Sequence, residues 1–551
     1  MYIFHLFRSF IPALNPIGFS ATDFIELIIA FLLVLLALLP YGKRLAEKTG
    51  WCMLLLFILP IALRLALLPQ YPIPAPYVSD DFSYLLLADT LRHFHLANPP
   101  HPLPQFFETY FVLQQPAYVS IFPLGQGLML ALGWTIFGHP WAGVAISIGA
   151  LCALCYWMLR AWTTPGWALI GGMLAVIEFG PLNQWMNSYW GGAVSGCAGC
   201  LVFGALPRLR ESGRRKDAAL LGLGLALQLL TRPYESIFLV LSVLLFFLPD
   251  PRRFIRPALM ASLVVLPAIG VILLQNKQAT GNWTTLPYTL SRYQYGVPTT
   301  FTFQPLPVPH RSLTQEQQLD FDAQSEVHGA STDTFATYWA RWIDRISFYR
   351  FFLLPPLFLA LPAFLLALRE YRFAWTAVTI LIFSLGTNFY PYFYSHYIAA
   401  LTCLFVLIAV VGLERLSQWS PSGARVLLFL CAAHFIFWYG VHFSRDNELY
   451  AALTPHESWD AINHGDPEGR IAINHQLAAE PGRQLVFVRY WPQHQFHEWV
   501  HNGADIDHAR VIWARDLGPD ENQKLLRYYP DRTAWLLEPD ARPPRLTPYS
   551  R

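Results

Sequence analysis

Apolar segments of bilayer-spanning length, or close to it, recur along most of this chain. They lie near 24–41, 51–69, 118–137, 142–161, 166–182, 189–206, 217–231, 234–249, 258–275, 347–368, 374–388, 396–413 and 424–443. A helix needs about 20 mostly apolar residues to cross the hydrocarbon core, so the pattern predicts a mainly α, polytopic membrane helix bundle. Composition agrees. Of 551 residues, 54% are hydrophobic and 13% charged, about half the ~25% charge content of soluble domains. A net charge of +2 argues against a nucleic-acid partner. Met1 to Ser20 contains Arg8 but no apolar core ending in a small-residue cleavage site, so no cleavable signal peptide is expected.

Basic loops orient the bundle. They are Lys43, Arg44 and Lys48; Arg208, Arg210, Arg214, Arg215 and Lys216; Arg252, Arg253 and Arg256; Arg369 and Arg372; and Arg415 and Arg425. The positive-inside rule places them in the cytoplasm. An even number of crossings must then separate the Lys43 and Arg208 loops, yet five apolar segments intervene. The segment 118–137, with Pro123, Gly125, Gln126, Gly127 and Gly133, is the one expected not to span. About twelve spans remain. The expected division is a membrane domain over 1–443, with external loops 70–141 and 276–346, and an external soluble domain over 444–551.

In the last region 468–480 reads as a helix, 484–490 and 509–514 as strands, 519–529 as a helix and 533–538 as a strand. That order predicts a small α/β domain with a largely parallel sheet. It contains His497-Glu498-Trp499-Val500-His501, a literal H-E-x-x-H. In zinc peptidases that motif needs a helix to bring both histidines to one face. Pro492 before it and Asn502-Gly503 after it leave little room for one, so a loop is expected. All seven cysteines, including the C-x-x-C pairs Cys152/Cys155 and Cys197/Cys200, fall in apolar segments. Thiolates are costly there, and packing as small hydrophobes is the simpler reading.

Chemistry-bearing residues gather at the external ends. Asp80 and Asp81 follow the Pro-rich exit of the 51–69 segment. Adjacent carboxylates push one another's pKa apart, which suits a general base or a clamp on a hydroxyl or cation. The plainer account is a helix start, where Asp is favoured. Asn187, Tyr189 and Trp190 combine amide and aromatic groups that fit a sugar as well as an interfacial belt. Arg232 can hold a phosphate bidentately, or pair with Glu235 nearby. His396 and Tyr397 sit in a Tyr-rich turn, where a phosphate contact and an aromatic belt are both open readings.

The run from Trp51 through the Pro-rich exit to Asp80-Asp81, then Tyr84, Ala88 and Leu91, resembles the first large loop of the GT-C glycosyltransferases. The similar branch is the protein mannosyltransferase-like and aminoarabinose transferase-like family. There the acidic pair is usually Asp-Glu followed by a Tyr; here it is Asp80-Asp81 with Tyr84. The resemblance implies a GT-C type bundle of about twelve spans with a small C-terminal α/β domain. It implies an inverting glycosyltransferase in the bacterial inner membrane, its site facing outward. The donor would be a polyprenyl-phosphate-linked sugar, the acceptor a glycan, lipid or protein, and membrane lipids would be partners. Asp80 and Asp81 would be catalytic, with Tyr84, Asn187, Tyr189, Trp190, Arg232, Glu235, His396 and Tyr397 binding substrate. No cofactor is required, although the acidic pair admits a divalent metal. A transporter or flippase-like protein, and a zinc peptidase working through His497, Glu498 and His501, are the alternatives. Polar clusters at the external face rather than mid-membrane favour the transferase.

Overall fold

The structure is a computed structural model that describes residues 44–329, 333–443, 453, 469–494 and 497–549. The predicted span at 24–41 lies outside the described residues. The helices of the membrane region are α1 (Thr49–Ala66), then α2 (Ser79–Arg92) and α3 (Leu124–Phe137) in and after the first loop, α4 (Trp141–Leu159), α5 (Pro165–Phe179), α6 (Ala193–Ser212), α7 (Arg215–Thr231), α8 (Pro233–Phe246) and α9 (Arg252–Thr280). The next loop holds α10 (Pro287–Tyr295), α11 (Gln315–His328) and α12 (Phe335–Arg345). Then come α13 (Tyr371–Thr387), α14 (Thr402–Trp419) and α15 (Pro421–Phe443).

Among the described residues, Thr49–Ala66, Trp141–Leu159, Arg252–Thr280, Ser395–Trp419 and Pro421–Phe443 are long and apolar enough to cross a membrane. Helices α3, α5 and α8 are shorter apolar helices. The chain is a multi-pass integral membrane protein. Helix α9 leaves Leu259, Leu263 and Leu266 on its outer face, as a lipid-facing helix must, because a lipid tail solvates Leu as well as a protein core does.

The segment 347–368 was expected to be one span, but the chain bends by 108° between Phe335–Phe352 and Pro355–Arg369. Pro355 and Pro356 supply no N–H to continue a helix, and the polypeptide turns there. In 118–137, expected not to span, a continuous helix of 14 residues, α3, begins after Pro123. A Cβ on Gly133 would lie 2.0 Å from the Gly143 backbone nitrogen of α4, and one on Gly125 would lie 2.1 Å from Thr231 Oγ1. These glycines let backbones approach, the usual role of small residues between membrane helices. Helix α3 is about 21 Å long against a core of about 30 Å. Helices α5 and α8 are equally short, so length does not decide which of them crosses.

The first loop adds a two-stranded antiparallel ribbon, β1 (Val112–Leu113) and β2 (Val119–Ser120). The C-terminal region contains α16 (Arg470–Ala479), β3 (Gln484–Val488), β4 (Val511–Arg515), α17 (Pro519–Tyr528), β5 (Thr533–Glu538) and β6 (Arg545–Pro548). The sheet order is β4-β3-β5-β6, parallel except for the terminal β6, which pairs antiparallel with β5. The largely parallel sheet is as expected; β6 was not foreseen. Leu485, Phe487 and Ile512 of this sheet pack with Leu86, Phe106 and Phe107 of the first loop. The Arg515 guanidinium pairs with Glu316 at the start of α11. The domain therefore sits on the same face as both large loops.

Candidate active site

Helix α2 begins with Asp80 and Asp81 in its first turn, and the two carboxylates diverge. Asp81 is 3% exposed. One of its oxygens accepts the Tyr77 and Val78 backbone N–H groups at 3.0 and 3.3 Å, and the other accepts the Tyr189 N–H at 2.8 Å. Burial pushes its carboxyl up to about 6 against the pull of those donors. Asp81 thus caps its helix and ties it to the turn before α6. Asp80 instead lines a cavity of 630 Å³. Burial, with the neighbouring Asp81 charge adding to it, pushes Asp80 up to about 7, and Arg232 opposes the rise.

The cavity has a polar end and an apolar side. Tyr84 and Asp80 come from α2, with the Tyr84 ring stacked 4.5 Å from Phe122. Arg232 lies in the break between α7 and α8, where Pro233 occupies the first position of the new helix. Its guanidinium carbon is 4.9 Å from the Tyr397 ring centre. Glu235 lines the same wall. His396 meets Trp190 edge-on at 4.8 Å and Tyr397 in a stack at 4.6 Å. Leu229 of α7 and Ile272 of α9 form the apolar side, beside the lipid-facing surface of α9.

Of the residues singled out from sequence, Asp80, Tyr84, Trp190, Arg232, Glu235, His396 and Tyr397 line this one cavity. Asn187 and Tyr189 are not among the residues that line it. The Asn187 side-chain oxygen accepts the Arg64 Nε–H at 2.7 Å, and its amide donates to the Pro181 and Asn183 carbonyls. Tyr189 is 2% exposed and donates its hydroxyl to the Pro74 carbonyl at 2.9 Å. Both hold the turn together. Both Asp81 oxygens are likewise engaged, by backbone N–H groups. The acidic pair therefore does not offer a cation two free carboxylates.

The third wall of the cavity comes from the second large loop, and its acid and amide were missed. Asp320 and Gln324 of α11, with Tyr288 and Arg292 of α10, line it. The Gln324 amide donates to both Asp320 oxygens at 3.0 and 3.1 Å, while its own oxygen accepts the Thr299 N–H at 3.0 Å. Burial pushes Asp320 up to about 7, with the Gln324 hydrogen bonds opposing it. Glu316, Asp320, Gln324 and His328 recur every four residues along α11, and all are buried. That polar stripe at helical spacing was the available signal.

The H-E-x-x-H stretch is not helical. Its two rings lie against different residues: His497 at 4.7 Å from Tyr77 and His501 at 3.8 Å from Phe82. Glu498 Oε1 accepts the Tyr490 hydroxyl at 2.5 Å. The one-faced arrangement a zinc peptidase requires is not formed.

The fold is of the GT-C type. The apo crystal structure of ArnT from Cupriavidus metallidurans aligns over 89% of this chain and 93% of its own, with TM-score 0.50 and 13% identity. ArnT from the same source bound to undecaprenyl phosphate aligns over 80% and 83%, with TM-score 0.47 and 11% identity. The archaeal oligosaccharyltransferase AglB from Archaeoglobus fulgidus, in complex with an inhibitory peptide and a dolichol-phosphate, aligns over 80% and 63%, with TM-score 0.37 and 10% identity. No protein-family model matches the chain. No curated protein sequence matches it.

Proposed function

We propose that this protein is an inverting membrane glycosyltransferase that moves a sugar from a polyprenyl-phosphate donor to an acceptor hydroxyl at the external face of the membrane. The observation that carries the reading is the shared cavity of Asp80 and Arg232, polar at the loop end and apolar beside α9. The lipid tail lies along the Leu229 and Ile272 side. Arg232 holds the phosphate, since a guanidinium matches phosphate oxygens bidentately. His396 and Trp190 bound the same wall.

Asp80 takes the acceptor hydroxyl proton as that oxygen attacks the anomeric carbon. The bond from the anomeric carbon to the phosphate oxygen breaks, and the electron pair leaves on the phosphate. Arg232 stabilises the charge that develops there. An Asp pKa lifted to about 7 makes a stronger base than an ordinary carboxylate while leaving much of it ionised near neutral pH. Asp320, oriented by the Gln324 amide, offers its remaining lone pairs to acceptor hydroxyls on the loop side. Transfer of radiolabelled sugar from a polyprenyl-phosphate donor in membranes, with wild-type and Asp80→Asn protein, tests the reading. Equal transfer by both removes it.

A further inference from the structure

The C-terminal domain touches the helix that carries Asp80 twice, and the turn just before it once. The irregular strip 497–504 runs beside α2. At its start the His497 ring lies 4.7 Å from Tyr77. Next, the His501 ring lies 3.8 Å from Phe82. At its end the Ala504 N–H donates to Asp89 Oδ2 at 2.7 Å. Gly503 sits where a Cβ would fall 2.6 Å from Asp89 Oδ2, so a side chain there has to displace the carboxylate that accepts the Ala504 N–H.

The strip is itself held from behind. The Tyr490 hydroxyl accepts the Trp499 and Val500 N–H groups at 2.8 and 3.0 Å and donates to Glu498. The His494 ring contacts the His497 carbonyl at 3.0 Å and the Asp540 carboxylate at 2.7 Å. Arg470 donates to the Glu498 carbonyl at 2.5 Å, and its guanidinium carbon lies 4.6 Å from the Phe82 ring and 4.1 Å from that of Trp499. Phe82 is 5% exposed. These contacts bracket Asp80 and Asp81, which lie between Tyr77 and Phe82.

We infer that the strip 497–504 is a splint for helix α2, with His501 and Gly503 as positioning residues that set the direction of the Asp80 carboxylate. The inference rests on the transferase reading only for its effect on turnover. Burial holds His501 well below the usual histidine range; a phenyl ring keeps the stack on Phe82 at 3.8 Å and loses only the contact of Nδ1 with the Trp499 carbonyl at 3.0 Å. A misplacement of about 1 Å costs on the order of a hundredfold in rate, and a loosened helix falls short of that.

Two measurements on the full-length protein test the splint. Hydrogen–deuterium exchange of the peptides covering Tyr77 to Asp89 should quicken in His501→Ala and Gly503→Val and return to the wild-type pattern in His501→Phe. Protection of β3 and β5 should stay unchanged in all three, which shows that the domain remains folded. Turnover should fall on the order of tenfold in His501→Ala, with the KM for the polyprenyl-phosphate sugar within about twofold of wild type, and His501→Phe should restore it. Unchanged exchange in the helix overturns the inference. So does quicker exchange with unchanged turnover. If Asp80→Asn, assayed alongside, transfers normally, the transferase reading fails while the exchange result still judges the splint.

Discussion

The Asp81 carboxylate accepts the Tyr189 backbone N–H at 2.8 Å, across 108 residues of chain. This bond separates two neighbours that the sequence presents as a pair. Asp81 faces protein and Asp80 faces the cavity. The two substitutions should therefore fail differently.

Asp80→Asn should lower transfer by on the order of a hundred- to ten-thousandfold, the usual cost of losing a general base, with donor binding retained. Asp81→Asn should retain more turnover and lose stability on the order of 1–2 kcal/mol, because an amide offers one acceptor oxygen where three N–H donors now converge on two. Radiolabel transfer and thermal unfolding in detergent read the two effects. A stable, inactive Asp81→Asn beside an active Asp80→Asn would move the base by one residue.

The pH dependence follows from Asp80, lifted from 3.8 to about 7. The base works when ionised, so turnover should rise with pH and level off above about 7. Stability runs the other way. The folded state holds this proton up to about 7 and the unfolded state releases it near 3.8, so unfolding releases protons in between and stability falls as pH rises through that window. Asp80→Asn removes the titration. Its unfolding temperature should exceed that of wild type at pH 8 and approach it at pH 4, measured by thermal unfolding across the series.

Arg232→Ala should weaken binding of undecaprenyl phosphate by on the order of tenfold or more, since a hydrogen bond to a charged group is worth about 1.5–3 kcal/mol. Arg232→Lys should recover part of it, because Lys keeps the charge and loses the fork. Microscale thermophoresis of the purified protein gives the three constants. Equal affinity in Arg232→Ala would separate the phosphate from this cation.

Glu498→Gln should leave transfer within about twofold of wild type. Burial raises the Glu498 carboxyl, and a glutamine oxygen accepts from the Tyr490 hydroxyl as well as the present one does. Stoichiometric zinc in wild-type protein that disappears in His497→Ala would revive the peptidase.

Topology has its own test. A cysteine placed at Gly213, past the end of α6, should be shielded from an impermeant thiol reagent added outside cells. One placed at Asp520 of α17 should be labelled. The native cysteines are all buried and set a low background. The reverse labelling pattern turns the bundle over.

Most helix positions were legible because apolar runs mark them directly: α7, α8 and α13 lie within a few residues of their expected bounds. The failures share a cause, which is that partners distant in sequence decide them. The glycines of α3 look like helix breakers until α4 and Thr231 appear against them. Asn187 and Tyr189 have the chemistry of a sugar site, but Arg64 and Asp81 claim their polar atoms first. Asp320 looks like one acid in a polar loop. Only folding brings α11 opposite Asp80 and gives that acid its place in the wall.

The contact between Ala504 and Asp89 joins positions 415 residues apart. A ribosome adding about 5–20 residues per second needs roughly 20 to 80 s to travel from one to the other. The strand β5, central neighbour of β3, is made later still. For that interval the membrane helices and the Asp80 turn exist without the strip that lies against them. The C-terminal domain is then what delivers the last contact to α2, so a product truncated before Ala504 keeps the helix that carries Asp80 and lacks the strip that lies against it.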